Sequence, residues 1–209
     1  MWEHRLIWTA DAPSWWDEVW TAGAAALHRR ERAAEDRPDT YLVLPDRPDV
    51  GLKLRGLDGE LEIKVRHAAC DGWELWEKVP FFEWNDFEAA RFSVLLEREL
   101  PAAPIDARAT PVDGVKTLLG AAGIPWREAR LDKVRLQARA GDLVPALASD
   151  GIDPHWLAEL VVFDGAGPTA RSICFETMAP EASLADSIPD AGRAICAGYP
   201  EFLIGAKQT

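Results

Sequence analysis

Three stretches of the chain alternate between charged and aliphatic residues, and both signs of charge occur in them. An alternation of period two predicts half-buried strands, in which every second side chain faces the same way. Cations aligned in this way can clamp phosphoryl oxygens, and carboxylates among them can hold a divalent metal. The residues that share a face are Lys53 with Arg55; Glu62, Lys64 and Arg66; and Lys133, Arg135, Gln137 and Arg139.

The side of the sheet on which these charges lie decides what the chain can do. An open sheet with one solvated face would leave them in water. A sheet closed into a barrel, with helices packed on its aliphatic face, would turn them toward an internal site, and about eight strands leave room there for side chains and one small ligand. Rows of cations inside would repel one another unless an anion entered or carboxylates lay between them. We predict the second arrangement: an α+β fold with a closed antiparallel β-barrel, a charged interior and external helices.

Composition limits the classes of function. The chain has 209 residues, enough for one large domain or two small ones, and its 48% of apolar residues can bury a core. The net charge of −12 argues against general nucleic-acid binding, because phosphate contacts need a basic surface. No apolar run approaches the roughly 20 residues of a membrane span, and the first residues lack the layout of a signal peptide. We therefore expect a cytoplasmic protein with no nucleic-acid or membrane partner.

Local patterns predict the elements that would position the charged side chains. Ser14 is a good N-cap for the first helix, turns at 56–59 and 165–168 would join pairs of strands, and 101–110 is a Pro- and Ala-rich loop. Strands are predicted at 3–9, 40–44, 50–55, 61–66, 73–79, 129–139, 157–164, 171–178 and 198–204, and helices at 15–33, 86–100, 112–122 and 180–197.

Tryptophan and cysteine are both assigned to the core. The ten tryptophans are expected mainly to build core, and an aromatic-lined pocket is the less favoured interpretation. Cys70, Cys174 and Cys196 have no metal-binding spacing, and their odd number argues against a disulfide framework. We interpret them as buried thiols.

The order of several short motifs resembles the CYTH, or triphosphate tunnel metalloenzyme, superfamily. The matched features are a tyrosine-containing strand, an Arg-x-Arg-like strand, a strand ending in Lys or Arg, carboxylate-bearing strands in the second half and a closing strand. The resemblance covers nearly the whole chain and implies a single CYTH-like tunnel domain over residues 1–209. The motifs lie at 39–42, 50–55, 61–66, 133–135, 159–164, 172–176 and 199–203.

The opening motif departs from that of the superfamily, which is Glu-x-Glu-x-Lys, with carboxylates for metal and a Lys for phosphate. Glu3 matches the first carboxylate, but Arg5 stands where the second Glu belongs and Ile7 where the Lys belongs. The positive charge of Arg5, at about 4 Å, would repel a metal ion by roughly 4 kcal/mol per unit charge pair. Alternatively, Arg5 could form an ion pair with Glu3 and so remove that carboxylate as a metal ligand. We predict weak metal binding and slow or absent triphosphate hydrolysis, and expect Arg5→Glu to tighten Mn²⁺ binding.

The resemblance implies a small anionic or phosphorylated molecule as the ligand and Mg²⁺ or Mn²⁺ as the cofactor. A homodimer is left open. The implied catalytic residues are Glu62, Lys64, Glu159 and Glu176; the ligand-binding residues are Arg5, Lys53, Arg55, Arg66, Lys133, Arg135 and Arg139; and the metal ligands are Glu3, Glu159 and Glu176.

Three functions stay open. The first is binding, and by extension metal-assisted hydrolysis, of a triphosphate or other phosphoanhydride. The second is a diverged tunnel that binds an anionic ligand without hydrolysis. The third is acid–base catalysis on an organic substrate held against the Trp-rich wall. The changed opening motif favours the last two.

Overall fold

The strands of this protein form one antiparallel sheet that closes on itself. The computed structural model describes residues 1–55, 60–79, 94, 96–97, 111–147, 152–165, 167–180, 184 and 187–206. The strands are β1 (Trp2–Trp8), β2 (Glu35–Val43), β3 (Val50–Arg55), β4 (Glu60–Cys70), β5 (Trp73–Val79), β6 (Arg127–Arg139), β7 (Leu157–Asp164), β8 (Ala170–Thr177) and β9 (Ile195–Cys196). The helices are α1 (Trp16–His28), α2 (Pro111–Ala121), α3 (Ala140–Leu143) and α4 (Tyr199–Gly205).

Eight of these strands complete a barrel. Their order is β5, β4, β3, β2, β6, β7, β8 and β1, and β1 pairs back onto β5 through residues 2–4. All of the pairs are antiparallel. The short strand β9 pairs with Leu6 and Ile7 of β1. The predicted closed antiparallel barrel is therefore confirmed.

Period-two alternation sorts the side chains between the inside and the outside of the barrel. In β1, Glu3 and Arg5 line an internal cavity, whereas Leu6 and Trp8 belong to an external apolar cluster. The inner face of the sheet carries charge because the outer face carries the aliphatic residues that the helices cover. The prediction that the charged faces turn inward is confirmed, and the alternative of a solvated open face is wrong.

Two apolar clusters cover the outside of the barrel. One joins α1 and α3 to strands β1, β6, β7 and β8, and Trp8, Trp16, Trp73 and Trp156 are all buried in it. Close approach there requires a glycine, since a Cβ on Gly23 would lie 2.9 Å from Leu143 Cδ1. The second cluster packs α2 against the outer faces of β2, β3 and β4. The assignment of tryptophan to the core therefore holds for these four residues.

Helix α4 closes one end of the barrel, where a strand was predicted. Tyr199, Phe202 and Leu203 are buried among the apolar inner residues of that end. The rings of Phe163 and Tyr199 lie edge to face with centroids 5.5 Å apart, and Arg127 of β6 hydrogen-bonds to the carbonyl of Leu203. The prediction of a closing strand at 198–204 is wrong, because three apolar residues at helical spacing find their partners inside the barrel mouth.

Other predicted boundaries also change. The helix predicted at 15–33 spans only Trp16–His28, and its N-cap is Trp15 rather than Ser14. The helix predicted at 180–197 is absent from the described part of that segment, which holds a 3-10 turn at Ala191–Arg193 and strand β9. Asp190 there has a left-handed φ of 62°, which a continuous helix cannot contain. The turn at 56–59, the loop at 101–110 and nearly all of the helix at 86–100 lie outside the described residues.

Two further expectations concern the burial of the cysteines and the presence of membrane-spanning helices. Cys174 is buried, as predicted, but Cys70 and Cys196 are exposed, so the assignment of all three as buried thiols is wrong. Within the described ranges, no helix has the length and apolar character needed to cross a membrane.

His4 gives the fold a pH dependence. Its side chain is buried on the outside of β1, edge to face with Trp73, and neither ring nitrogen has a hydrogen-bond partner among the described residues. Burial lowers the pKa of His4 to about 4. The neutral form folds more readily, so this stability is complete above the ordinary pKa of 6.5 and is lost as the pH falls toward 4.

We therefore expect His4 to cost the parent protein about 2 kcal/mol of unfolding free energy between pH 7 and pH 5. Urea titrations at both pH values, on the parent and on His4→Leu, measure this cost as a difference in pH dependence. The exposed His155 provides the control, since His155→Gln should keep the parent's pH dependence. Equal pH dependence in the parent and His4→Leu would contradict the assignment.

Candidate functional site

A cavity of about 600 Å³ lies inside the barrel, where Tyr199 and Pro200 of α4 line it and all eight barrel strands contribute to its wall. Eight Lys or Arg side chains and six carboxylates line it, so the wall carries a small positive excess. Each of the eight cations has a carboxylate within ion-pairing distance. The cations are Arg5, Arg37, Lys53, Arg55, Lys64, Lys78, Lys133 and Arg135, and the carboxylates are Glu3, Asp39, Glu62, Glu77, Glu159 and Glu176.

Three cations converge on Glu62 of β4. Lys53 Nζ and Arg55 Nη2 each lie 2.7 Å from a Glu62 carboxylate oxygen, and Lys78 Nζ lies 2.6 Å from one. Burial alone would raise the pKa of Glu62, but Lys53 and the other cations hold it well below its usual range. Register explains the convergence, because Lys53 is the direct cross-strand partner of Glu62. We name Lys53, Arg55 and Lys78 the Glu62 triad.

Asp39 of β2 forms a second, deeper cluster. Its carboxylate is fully buried and lies 3.1 Å from Lys133 Nζ, 3.1 Å from Arg37 Nε and 3.8 Å from Lys53 Nζ. Burial opposes ionisation, but Lys133 and then Lys53 lower the pKa of Asp39 below its usual value. Asp39 is therefore an anion at neutral pH, surrounded by cations that an incoming ligand would also meet.

Lys133 is the most deeply buried cation of the wall. Its Nζ donates a hydrogen bond to the Tyr41 hydroxyl at 2.8 Å and lies 3.7 Å from the centroid of the Tyr199 ring. Burial lowers the pKa of Lys133 to about 7, although Asp39 favours its charged form. The aromatic contacts come from α4 and β2, so the helix that closes the barrel also positions this ammonium group.

Arg5 and Arg135 hold Glu159 of β7 from two sides. Arg5 Nη1 donates to Glu159 Oε1 at 3.0 Å, and Arg135 Nη1 donates to Glu159 Oε2 at 3.1 Å. Burial would raise the pKa of Glu159, but Arg5 and then Arg135 lower it to about 2. Arg5 also lies over the Tyr199 ring at 4.3 Å. Each carboxylate oxygen of Glu159 therefore has an arginine partner, and Arg5 pairs with Glu159 rather than with Glu3.

Glu3 and Glu176 form the part of the wall that fits a divalent cation. Ligand atoms of Glu3, Glu176 and Cys174 all lie within 4.8 Å of one another. Lys64 Nζ holds one Glu3 oxygen at 2.6 Å, whereas Glu176 has no ion pair among the described residues. Burial and then the charge of Glu3 raise the pKa of Glu176. Two carboxylates that repel each other match the one or two that Mg²⁺ takes from a protein, but Glu159 is not available as a third.

The structure brings most of the predicted site residues to one cavity. Glu3, Arg5, Lys53, Arg55, Glu62, Lys64, Lys133, Arg135, Glu159 and Glu176 all line it. Arg66 and Arg139 are not among the described residues of the wall. Arg66 lies near the closed end, where it pairs with Glu74 and, at 2.7 Å, with Glu201 of α4. Arg139 is exposed at the end of β6. The roles assigned to these residues stay predictions.

Several wall residues were missing from the predicted site. Among them, Arg37 and Asp39 belong to β2, and Trp76 and Lys78 belong to β5. These four continue the period-two alternation of their strands, which was the available signal. Trp76 is the one tryptophan among the described residues of the wall, so the pocket interpretation of the tryptophans holds there.

Fold and cavity agree with the architecture that the resemblance implies. The chain forms a closed eight-stranded antiparallel barrel with facing cations and carboxylates inside. The expected barrel is therefore confirmed.

No protein-family model and no curated protein matches the chain. Solved structures similar to it include a candidate adenylate cyclase from Bacillus halodurans, with 14% identity and a TM-score of 0.40, covering 91% of this chain and 89% of that one. Another is the PH1012 protein of Pyrococcus horikoshii, with 14% identity, a TM-score of 0.43 and coverages of 95% and 98%. A candidate adenylyl cyclase from Hippeastrum, described with a dominant triphosphatase activity, has 12% identity, a TM-score of 0.40 and coverages of 85% and 80%.

Proposed function

We propose that the cavity binds a triphosphate or another small molecule that carries a phosphoanhydride. The observation that supports this most strongly is the collection of eight Lys and Arg side chains around one cavity in a chain whose net charge is −12. Because these cations are spread around the wall, an extended chain of phosphoryl groups can contact more of them than a single phosphate can. Charge-assisted contacts of this kind are the strong ones in a partly dry site.

Hydrolysis is the extension of this proposal, and it would use Mg²⁺ or Mn²⁺ held by Glu3 and Glu176. Such an ion, when bound, polarises a phosphoryl group and offsets the charge that develops on the leaving oxygen. Lys64 fixes the orientation of Glu3 through its 2.6 Å contact. The Glu62 triad and Arg135 supply fixed positive charge for the phosphoryl oxygens, and the closed end at α4 limits access of water from that side.

A specific observation favours a binding protein without hydrolysis as the second candidate. Both oxygens of Glu159 accept hydrogen bonds from arginines, so a metal ion or a water molecule would compete with two guanidinium groups for that carboxylate. The loss of one carboxylate ligand leaves Glu3 and Glu176 to hold the metal. Lys133, with its pKa of about 7, is the group that an acid–base enzyme of an organic substrate would use, and this is the third candidate.

Calorimetry and a phosphate-release assay distinguish these candidates. The purified protein is titrated with inorganic triphosphate and with nucleoside triphosphates, in the presence of Mg²⁺, Mn²⁺ or a chelator. Binding together with metal-dependent phosphate release supports the hydrolase, and binding without release supports the second candidate. The absence of binding to every polyphosphate would contradict the proposal. Turnover at about 1–10³ per second with Mg²⁺ would contradict the prediction that the changed opening motif slows hydrolysis.

Removing one cation from the cavity wall should weaken the binding of triphosphate. We expect Lys53→Ala and Arg135→Ala each to cost about 1.5–3 kcal/mol of binding free energy, because each removes a charge-assisted contact from a partly desolvated site. Calorimetry measures the change. Lys116→Ala is the matched control, since Lys116 pairs with Glu128 outside the cavity, and its affinity should equal that of the parent. If Lys53→Ala and Arg135→Ala also bind like the parent, these side chains do not contact the ligand.

A further inference from the structure

Glu62 forms ion pairs with the cations that a phosphoryl group would bind. Its two oxygens contact all three members of the Glu62 triad at 2.6–2.7 Å, which is the distance expected between an ammonium or guanidinium group and a phosphate oxygen. A carboxylate and a phosphoryl group present similar oxygens to a cation. The side chain of Glu62 therefore takes the place of an anionic ligand in the structure.

The triad also lies where a ligand would arrive first. Lys78 and Arg55 have side-chain exposures of 58% and 34%, so their charged ends can move, whereas Glu62 is only 6% exposed. The Asp39 cluster differs in this respect, because Asp39 is fully buried and Lys133 beside it is 4% exposed. Partner exchange therefore costs less side-chain rearrangement at Glu62 than at Asp39.

We propose that Glu62 is an internal competitor that sets the affinity of the cavity for phosphorylated ligands. In the empty protein it neutralises the triad, and a ligand binds by taking over part of that contact against the charge of Glu62. When the ligand leaves, the carboxylate pairs again with all three cations and so assists release. This inference deepens the proposed function and depends on it, because it concerns the same cavity and the same class of ligand.

The test is the substitution Glu62→Gln, which keeps the size of the side chain and removes its charge. Inorganic triphosphate is titrated by calorimetry into the parent and the variant at the same ionic strength. We expect the variant to bind about tenfold more tightly or better, the scale of coupling between close charges at an interface. Its affinity should also fall more steeply with added NaCl, because more cations are free to pair with the ligand.

Two further variants make the test specific. Asp132→Asn removes a carboxylate outside the cavity, where Asp132 is 60% exposed and pairs with Arg130, so it controls for net charge and should change affinity less than about twofold. Glu62→Asp keeps the charge but draws it back from the triad, and its affinity should lie between those of the parent and Glu62→Gln. If Glu62→Gln does not fold, Glu62→Asp decides: tighter binding than the parent supports the proposal, and equal or weaker binding overturns it.

The outcomes separate this inference from the proposed function. Triphosphate binding by the parent that is not tightened in folded Glu62→Gln overturns the competitor role and leaves the proposed function standing. Binding by Glu62→Gln alone contradicts the proposed function and overturns the competitor role, because a ligand that cannot displace Glu62 in the parent does not compete with it. No binding by either protein overturns both. An effect of Asp132→Asn as large as that of Glu62→Gln also overturns the role, because total charge would then explain the result.

Discussion

Replacing Asp39 by asparagine is expected to lower the free energy of unfolding by about 1–3 kcal/mol. Asp39 is fully buried and lies 3.1 Å from the equally enclosed Lys133 ammonium. The amide cannot neutralise that ammonium, and the surrounding Arg37 and Lys53 side chains lose the same partner. Burial already lowers the pKa of Lys133 to about 7, so Lys133 can lose its proton in the variant, and the cost is smaller than that of leaving a fixed buried charge unpaired.

Urea denaturation of the parent and Asp39→Asn at pH 7 measures this loss. The matched control is Asp132→Asn on β6, because Asp132 pairs with Arg130 where both side chains are about 60% exposed, and it should cost less than about 1 kcal/mol. The pKa of Asp39 is lowered, so its contribution is present above the ordinary pKa of 3.8 and is lost as the pH falls below it. The difference between parent and variant should therefore shrink in acid. A cost below about 1 kcal/mol at pH 7 would mean that Asp39 is not the counterion of Lys133.

Asp39 also shows what limited the sequence analysis. Arg37 and Asp39 alternate with Tyr41 and so continue the inner face of β2, but the strand was predicted to begin at residue 40. Pro38 lies between them, and a proline usually marks the end of a strand because it donates no hydrogen bond to the ladder. In the barrel Pro38 instead lies opposite Asp132 within β2 and β6. The rule that a proline ends a strand therefore left Arg37 and Asp39 out of the predicted site.

The prediction of a strand at 198–204 was wrong for a different reason. Residues 198–204 contain a hydrophobic run that suits a short strand, and short apolar runs do not distinguish strand from helix by period alone. The spacing of Tyr199, Phe202 and Leu203, with Pro200 in the first turn, is the signal for a helix. By contrast, β3, β5 and β7 were predicted with the bounds that the structure shows, and Gly- or Pro-containing turn residues lie close to the ends of each run.

The partner of Arg5 could not be found from sequence at all. Alternation places Arg5 on the inner face of β1, but it gives no information about the strand across the cavity. A pairing of Arg5 with Glu3 was one alternative left open, whereas the structure pairs Arg5 with Glu159, 154 residues away. Pairing across a closed barrel depends on the order of the strands, and here β7 and β1 both flank β8.

This pairing changes what a reversion of the opening motif would do. Arg5→Glu was expected to restore a metal ligand, but the new carboxylate would lie against Glu159 and near Glu3, with only Arg135 left to neutralise Glu159. Like charges at this separation in a buried site are strongly unfavourable. The informative substitution is therefore Arg5→Met, which removes the guanidinium and keeps an unbranched apolar stem of similar reach.

Arg5→Met is expected to lower the free energy of unfolding by about 3–5 kcal/mol, because the buried Glu159 keeps its charge and loses the closer of its two partners. The double variant Arg5→Met with Glu159→Gln should recover most of that loss, since no uncompensated carboxylate remains. Glu159 contributes its stability above its ordinary pKa of 4.5 and loses it as the pH falls toward the lowered pKa of about 2, so the gap between the parent and Arg5→Met should narrow over that range. Urea titrations of the parent, both single variants and the double variant, at pH 7 and pH 3, measure the coupling. Additive effects of the two substitutions would show that Arg5 and Glu159 do not act as a pair, and Glu159 would then be free to serve as the metal ligand that the resemblance implies.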